Sequence, residues 1–178
     1  EILGTYGAFD GVGISTAGQV NSKEGFIRYA NENIPGYTGT RLRDLVASEF
    51  GVPVAVENDV NAAALGEAVW GAGRDYDDFL CLTYGTGVGG AIVIGKKIYS
   101  GSMFSAGEFG GMVEHPESRA EGQPLSGCYE KYASATALVA EAKRFDETIT
   151  NGRQIFARFQ EPEIRGIVDR WIDELVHG

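Results

Sequence analysis

Two stretches carry residue types that can do chemistry together. Glu57-Asn58-Asp59-Val60-Asn61 ends the apolar run Val52-Pro53-Val54-Ala55-Val56 and opens a helical pattern. Gly85-Thr86-Gly87-Val88-Gly89-Gly90 follows a second apolar run, Phe79-Leu80-Cys81-Leu82-Thr83-Tyr84. A carboxylate and an amide thus sit at one strand-to-helix junction, and a glycine-rich turn ends another strand. In open α/β sheets, ligands bind beyond the carboxyl ends of strands. The pair reads as a place where a hydroxyl meets a phosphate. Phosphoryl transfer is mostly positioning and electrostatics: it needs backbone donors around the phosphates, a metal, and a carboxylate beside the attacking hydroxyl.

The turn Gly85, Thr86, Gly87, Gly89, Gly90 suits the first task. Glycines there can take positive φ and bring backbone N–H groups to an anion, and Thr86 adds a hydroxyl donor. By itself the motif reads equally well as a plain hairpin. Asp59 suits the third task. It can orient a hydroxyl and take its proton, although alone it also reads as a helix N-cap. Asn58 can donate to and accept from a hydroxyl. Glu108 and Glu130 can accept further hydroxyl hydrogen bonds, and each taken singly reads equally as a solvated glutamate.

The elements that must hold these residues can be read from pattern. Asp10–Ile14 reads as a strand with a turn over 15–20, and the polar, glycine-containing stretch 21–40 as a long irregular connection. Thr40 can cap a helix over 41–50, with Leu42, Leu45, Val46 and Phe50 on one face and Gly51 as its stop. A buried strand over 52–56 leads to a helix through about Trp70, capped by Asn58 or Asp59. Residues 79–84 and 90–94 read as paired strands, with Ile98-Tyr99 after a second turn. Residues 114–127, with Pro116, Gly122, Pro124 and Gly127, read as loop. Helical patterns cover 128–133, 135–144, 152–160 and 162–176, the last with a stripe from Ile164 to Leu175.

Composition sets the outer limits. The sequence has 178 residues, enough for one domain or parts of two, with 43% apolar and 22% charged residues. A net charge of −10 argues against a nucleic-acid or anionic-membrane surface. It leaves room for a small anion bound by backbone N–H groups. Cys81 and Cys128 make no disulfide framework, and Cys81 reads as inert core. No apolar run approaches the roughly 20 residues that span a bilayer, which fits a cytoplasmic protein.

The order of the stretches narrows the reading. Glu57 to Glu67, Gly71-Ala72-Gly73, Leu82 to Gly90, Ala106-Gly107-Glu108-Phe109-Gly110 and Gly127-Cys128-Tyr129-Glu130-Lys131-Tyr132-Ala133-Ser134 follow one another. This closely resembles the ROK family of bacterial sugar kinases and sugar-responsive repressors, from about Gly13 to the final helices. Asn33-Ile34-Pro35-Gly36-Tyr37 also looks like that family's loop. The resemblance implies an α/β, actin-like, hexokinase-type ATPase fold (ribonuclease H-like), with two lobes around a cleft and incomplete at both ends here. Residues 1–57 would belong to the smaller lobe and 58–178 to the larger. It implies Asp59 as catalytic base, Asn58, Asp59, Glu108 and Glu130 as sugar contacts, and Gly85 to Gly90 as a phosphate loop.

The implied activity is ATP-dependent phosphorylation, with Mg²⁺, of the 6-hydroxyl of a hexose or β-glucoside. The rival is a sugar-binding repressor, with a winged helix upstream and nucleic acid as partner. A homodimer is implied for either. The family's opening Asp-x-Gly-Gly-Thr loop and its late adenosine-holding stretch are absent, so the chain is expected to be the middle of a longer protein. The family's zinc ligands also look lost. Gly111 replaces a histidine, and of three thiolates only Cys128 remains, with His115 close by. No metal ligands and no bound zinc are expected, and the loss of the imidazole at 111 suggests room for a larger sugar.

Overall fold

The computed structural model describes residues 9–123 and 125–177. Pro124, one of the loop markers, lies outside the described residues. The chain divides into two compact units, Glu1–Cys81 with Ala91–Ala106, and Leu82–Gly90 with Gly107–Gly178.

In the first unit, β1 (Val12–Thr16) runs parallel to β4 (Val54–Asn58), with Thr16 opposite Asn58. The apolar side chains Val54 and Val56 alternate inward, joining Val20 and Ile27 in a core that Leu42, Val46 and Ala47 cover. Residues 19–29 are not irregular: β2 (Gln19–Asn21) and β3 (Phe26–Tyr29) form an antiparallel hairpin. The turn after β1 is correspondingly short, with Ser15 and Thr16 still in the strand.

Helix α1 (Leu42–Phe50) ends as expected on Gly51, whose left-handed φ of 67° lets its N–H close on the Ala47 carbonyl. Its start differs. Arg41, not Thr40, occupies the N-cap position, and no side chain caps it. Its inner face is Leu42, Val46 and Ala47. Leu45 is 60% exposed and Phe50 38%, because the inner stripe turns toward the hairpin rather than along the four-residue row. Arg43 fixes that orientation. Its guanidinium donates to the carbonyls of Ser22 (2.7 Å), Lys23 (2.6 Å) and Val54 (3.1 Å).

Helix α2 (Asp59–Val69) packs the small residues Ala64 and Ala68 inward. Ala64 meets Ala91 and Val93, with Phe79 and Ile98 around them. Those residues come from β5 (Phe79–Tyr84), β6 (Val88–Ile94) and β7 (Lys97–Ile98), a sheet in that strand order. Val93 pairs with Ile98 in the antiparallel β6–β7 ladder.

The second unit is helical after its loop. Two short 3₁₀ turns, Phe109–Gly111 and Pro116–Ser118, interrupt the loop expected over 114–127 and the glycine-rich stretch before it. Helices α3 (Glu130–Ala133), α4 (Ala135–Phe145), α5 (Gly152–Ala157) and α6 (Pro162–His177) follow within a few residues of the expected spans. The stripe of α6 is core: Ile164, Ile167 and Val168 pack with Leu138, Ala142, Ile149 and Ile155. Trp171 reaches α3, its indole N–H shared between the Ala133 and Ser134 carbonyls at 3.0 and 3.1 Å. No described helix is long and apolar enough to cross a membrane.

Candidate active site

The parallel pair β1–β4 sets the first group of site residues. Asn58 is the last residue of β4 and the N-cap of α2, in extended backbone with φ −60° and ψ 149°. Its side-chain oxygen accepts from the Val60 and Asn61 N–H groups at 2.9 and 3.1 Å. Its amide nitrogen donates to the Gly18 carbonyl at 3.1 Å. Both acceptor positions and one donor are therefore used inside the protein, and one amide N–H remains for a ligand. The choice of cap that the sequence left open is settled as Asn58.

Asp59 begins the helix and is exposed. Its Oδ1 accepts a second branch of the Val60 N–H bond at 3.1 Å. Oδ2 has no hydrogen-bond partner among the described residues. Two neighbours that pattern reading passed over hold this corner. Glu57 Oε1 accepts from the Asn58 N–H (2.9 Å) and from the Asn61 side-chain amide (3.1 Å). Thr16, beside Asn58 in the ladder, bonds the Tyr37 hydroxyl at 2.5 Å. That bond brings the end of the Asn33–Tyr37 stretch to the same strand end. The spacing of Glu57 and Asn61, four apart across a helix start, was the available signal.

In the second unit the glycine turn is present, but the positive φ expected of its glycines is not found at three of them, Gly85, Gly87 and Gly90. A Cβ on Gly85 would meet nothing within 4 Å, whereas Gly87 and Gly90 have close neighbours. A Cβ on Gly87 would lie 2.6 Å from Glu130 Oε2, and one on Gly90 would lie 2.5 Å from the Gly107 carbonyl and run into the Phe109 ring. The turn also closes on itself, the Gly85 N–H donating to the Gly87 carbonyl at 2.9 Å. Gly110 meets the same carboxylate: its added Cβ would be 3.2 Å from Glu130 Oε2. Glu130, Gly87 and Gly110 are thus one cluster. Glu108, two residues before Gly110, is exposed at the head of the Phe109–Gly111 turn.

A tyrosine pair positions Glu130. The Tyr129 hydroxyl donates to the Leu175 carbonyl at 2.9 Å and, at 2.9 Å, therefore accepts from Tyr84, the last residue of β5. The Tyr129 N–H is held by the Met112 carbonyl at 2.8 Å. Burial, then the Tyr84 hydrogen bond, push the Tyr129 phenol above its ordinary range. Both tyrosines lie inside the motif stretches, but their pairing is long-range and has no local signal.

The residues that would replace the family's zinc ligands do not fit that ion. Gly111 offers no side chain, and an added Cβ there meets nothing within 4 Å. Cys128 is buried at 2% exposure. Beside it lies a different polar group. His115 Nε2 is 2.8 Å from Glu174 Oε2 on α6, and its Nδ1 is 3.1 Å from Glu117 Oε1. The Glu174 hydrogen bond, opposed by burial and aided by Glu117, holds the His115 pKa above its ordinary value. Burial and the Glu174 charge raise the neighbouring Glu114.

The ROK family model matches residues 3–173, nearly all of the chain. The chain belongs to the ROK family. Its fold is accordingly the actin-like, hexokinase-type ATPase fold, as in the solved ROK hexokinases and glucokinases it resembles. Among relatives, a β-glucoside kinase of Listeria monocytogenes is 37% identical over 174 residues, which cover 94% of this chain and 56% of that protein. The crystal structure of a ROK family glucokinase from Streptomyces griseus, in complex with glucose and AMPPNP, matches at 35% identity with a TM-score of 0.78. That match covers 94% of this chain and 59% of the glucokinase. A candidate xylose repressor of Caldicellulosiruptor sp. is 35% identical over 138 residues, covering 78% of this chain and 34% of the repressor. This ROK chain spans about half the length of the curated relatives it matches.

Proposed function

We propose that the full-length protein is an ATP-dependent sugar kinase that phosphorylates the 6-hydroxyl of a hexose or a β-glucoside. The observation that carries the reading is Asp59. It is an exposed carboxylate fixed on the first turn of α2 by a doubly bonded Asn58 cap, with Oδ2 uncommitted. The glucokinase and β-glucoside kinase relatives supply the substrate class.

In this reading Asp59 accepts the proton as the sugar oxygen bonds to the γ-phosphorus and the bond to the ADP oxygen breaks. Asn58 contributes its remaining amide N–H to a sugar hydroxyl. Glu130 and Glu108 accept from ring hydroxyls. The Gly85–Gly90 turn, with Thr86, takes the phosphates. Mg²⁺ accompanying ATP would supply charge neutralisation at the phosphates. The protein works in the cytoplasm as a homodimer.

The repressor relative supports a second reading, in which the same sugar contacts serve ligand sensing alone. One experiment separates them. ADP release by the full-length protein is followed with glucose and with cellobiose, for wild type and Asp59→Asn. The kinase reading expects turnover in the wild type and a loss of about 10²–10⁴ in the variant, with sugar affinity kept. Near-wild-type turnover in Asp59→Asn removes the proposed mechanism. No turnover in wild type, with sugar-dependent binding to operator DNA, selects the repressor.

A further inference from the structure

Both histidines of the sequence, His115 and His177, fall beside the same two glutamates, Glu114 and Glu174. One ligand atom each from Glu114, His115 and Glu174 lies within 4.8 Å of the others. Neither Oε1 nor Oε2 of Glu114 is exposed, and neither has a hydrogen-bond partner among the described residues. A buried carboxylate without a partner is rare and costly in a folded protein, and a bound ion is one of the few things that resolves it.

We propose that Glu114, His115 and Glu174 form a binding site for one divalent transition-metal cation of the zinc type, using no ligand from Gly111 or Cys128. The donor set suits such an ion. Two carboxylates balance its charge, and imidazole nitrogen with carboxylate oxygen is a usual zinc environment. Ligands about 2.0–2.2 Å from a tetrahedral ion sit about 3.4 Å apart. The His115–Glu174 pair at 2.8 Å therefore needs to open only slightly, as the ion takes the place of the shared proton.

The outer contacts fit as well. Metal-bound imidazoles usually give their second nitrogen to a carboxylate, which fixes the tautomer. Glu117 Oε1, 3.1 Å from Nδ1, is placed for that role and leaves Nε2 for the ion. The His115 ring is further held against Tyr132, with centroids 3.9 Å apart. His177, one turn beyond Glu174 on α6, is close enough to act electrostatically on Glu114. The ion would pin the loop around 112–119 to α6. Met112 of that loop holds Tyr129, the residue before Glu130, so the staple supports the Glu130 cluster from behind.

The test uses the full-length protein, stripped with chelator and dialysed, with ZnCl₂ and MnCl₂ as probes in titration calorimetry. Bound zinc is measured by elemental analysis, and thermal unfolding is followed with and without metal. The proposal expects about one Zn²⁺ per chain and a zinc-dependent rise in Tm in wild type. Zinc affinity should fall at least about 100-fold in Glu114→Gln/Glu174→Gln and about 10–100-fold in Glu117→Gln. The exposed Glu117 makes the second variant safe for folding. Absence of zinc binding by wild type, or wild-type affinity in both variants, overturns the site. None of these readouts depends on catalysis.

Discussion

Asn58 is expected to be the most consequential small side chain of the β4–α2 junction. Asn58→Ala removes two bonds to the first-turn N–H groups of Val60 and Asn61 and one to the Gly18 carbonyl. Loss of an N-cap costs about 1 kcal/mol, and loss of a part-buried hydrogen bond about another 1 kcal/mol. The expected destabilisation is thus about 2 kcal/mol. Asp59 keeps its own weaker bond to Val60, so the cap is not wholly replaced. Asn58→Asp separates the contributions. It keeps both acceptors and places charge at the positive end of the helix, which partly offsets replacing the Gly18 bond by two facing oxygens. About 1 kcal/mol or less is expected there. Urea unfolding of the full-length protein gives the stability change. Hydrogen exchange adds a local readout: the Val60 and Asn61 amides should lose about fivefold protection in Asn58→Ala and keep it in Asn58→Asp. Unchanged protection of both amides in Asn58→Ala, or equal losses in the two variants, would refute the capping argument.

Gly87→Ala puts a methyl group against the Glu130 carboxylate and should weaken sugar binding as well as nucleotide binding. Calorimetry with each ligand checks this, and an effect confined to the nucleotide would mean that Glu130 does not contact the sugar. Thr148 and Arg158 hydrogen bonds hold the Asp146 carboxyl at a pKa of about 2. The folded value lies below the ordinary one near 3.9, so this contribution is complete above pH about 4 and is lost as pH falls toward about 2. Acid unfolding of Arg158→Met should lack part of that dependence, whereas an unchanged acid limb would show that Asp146 is tied by Thr148 alone. Asp59→Asn, already the test of the kinase reading, should leave Tm within a few degrees of wild type, since Asn58 carries most of the cap.

Local pattern was enough for the elements with strong periodicity. The strand over 79–84, the α2 span and the four C-terminal helices were legible because apolar spacing and caps agree there. The β2–β3 hairpin was not. Its strands have three and four residues, and the buried Asn21 breaks the apolar alternation. The inner face of α1 was misread because Ala47, not Leu45, meets the core; a hydrophobic scale ranks them the other way. The site shows the same division. Asn58, Asp59, Glu108, Glu130 and the glycine turn stand out as motif residues. The reason for the glycines at 87 and 90 is invisible locally, since it lies in Glu130, Gly107 and Phe109. The Glu114–His115–Glu174 group was equally hidden, its two halves being 59 positions apart.

The Arg43 fork has a consequence for how this part of the chain comes undone. A two-stranded hairpin is marginal on its own in water, and β2–β3 forms a sheet of only those two strands. One guanidinium on α1 reaches both the hairpin loop, at Ser22 and Lys23, and β4, at Val54. The Arg43 N–H also donates to the Gly25 carbonyl at 3.0 Å. Fraying the hairpin alone would strand a charged, multiply bonded group, so local opening is penalised until helix and hairpin leave together. Residues 19–29 and 42–50 should therefore open as one cooperative unit, the short hairpin strands being protected by a side chain from another element.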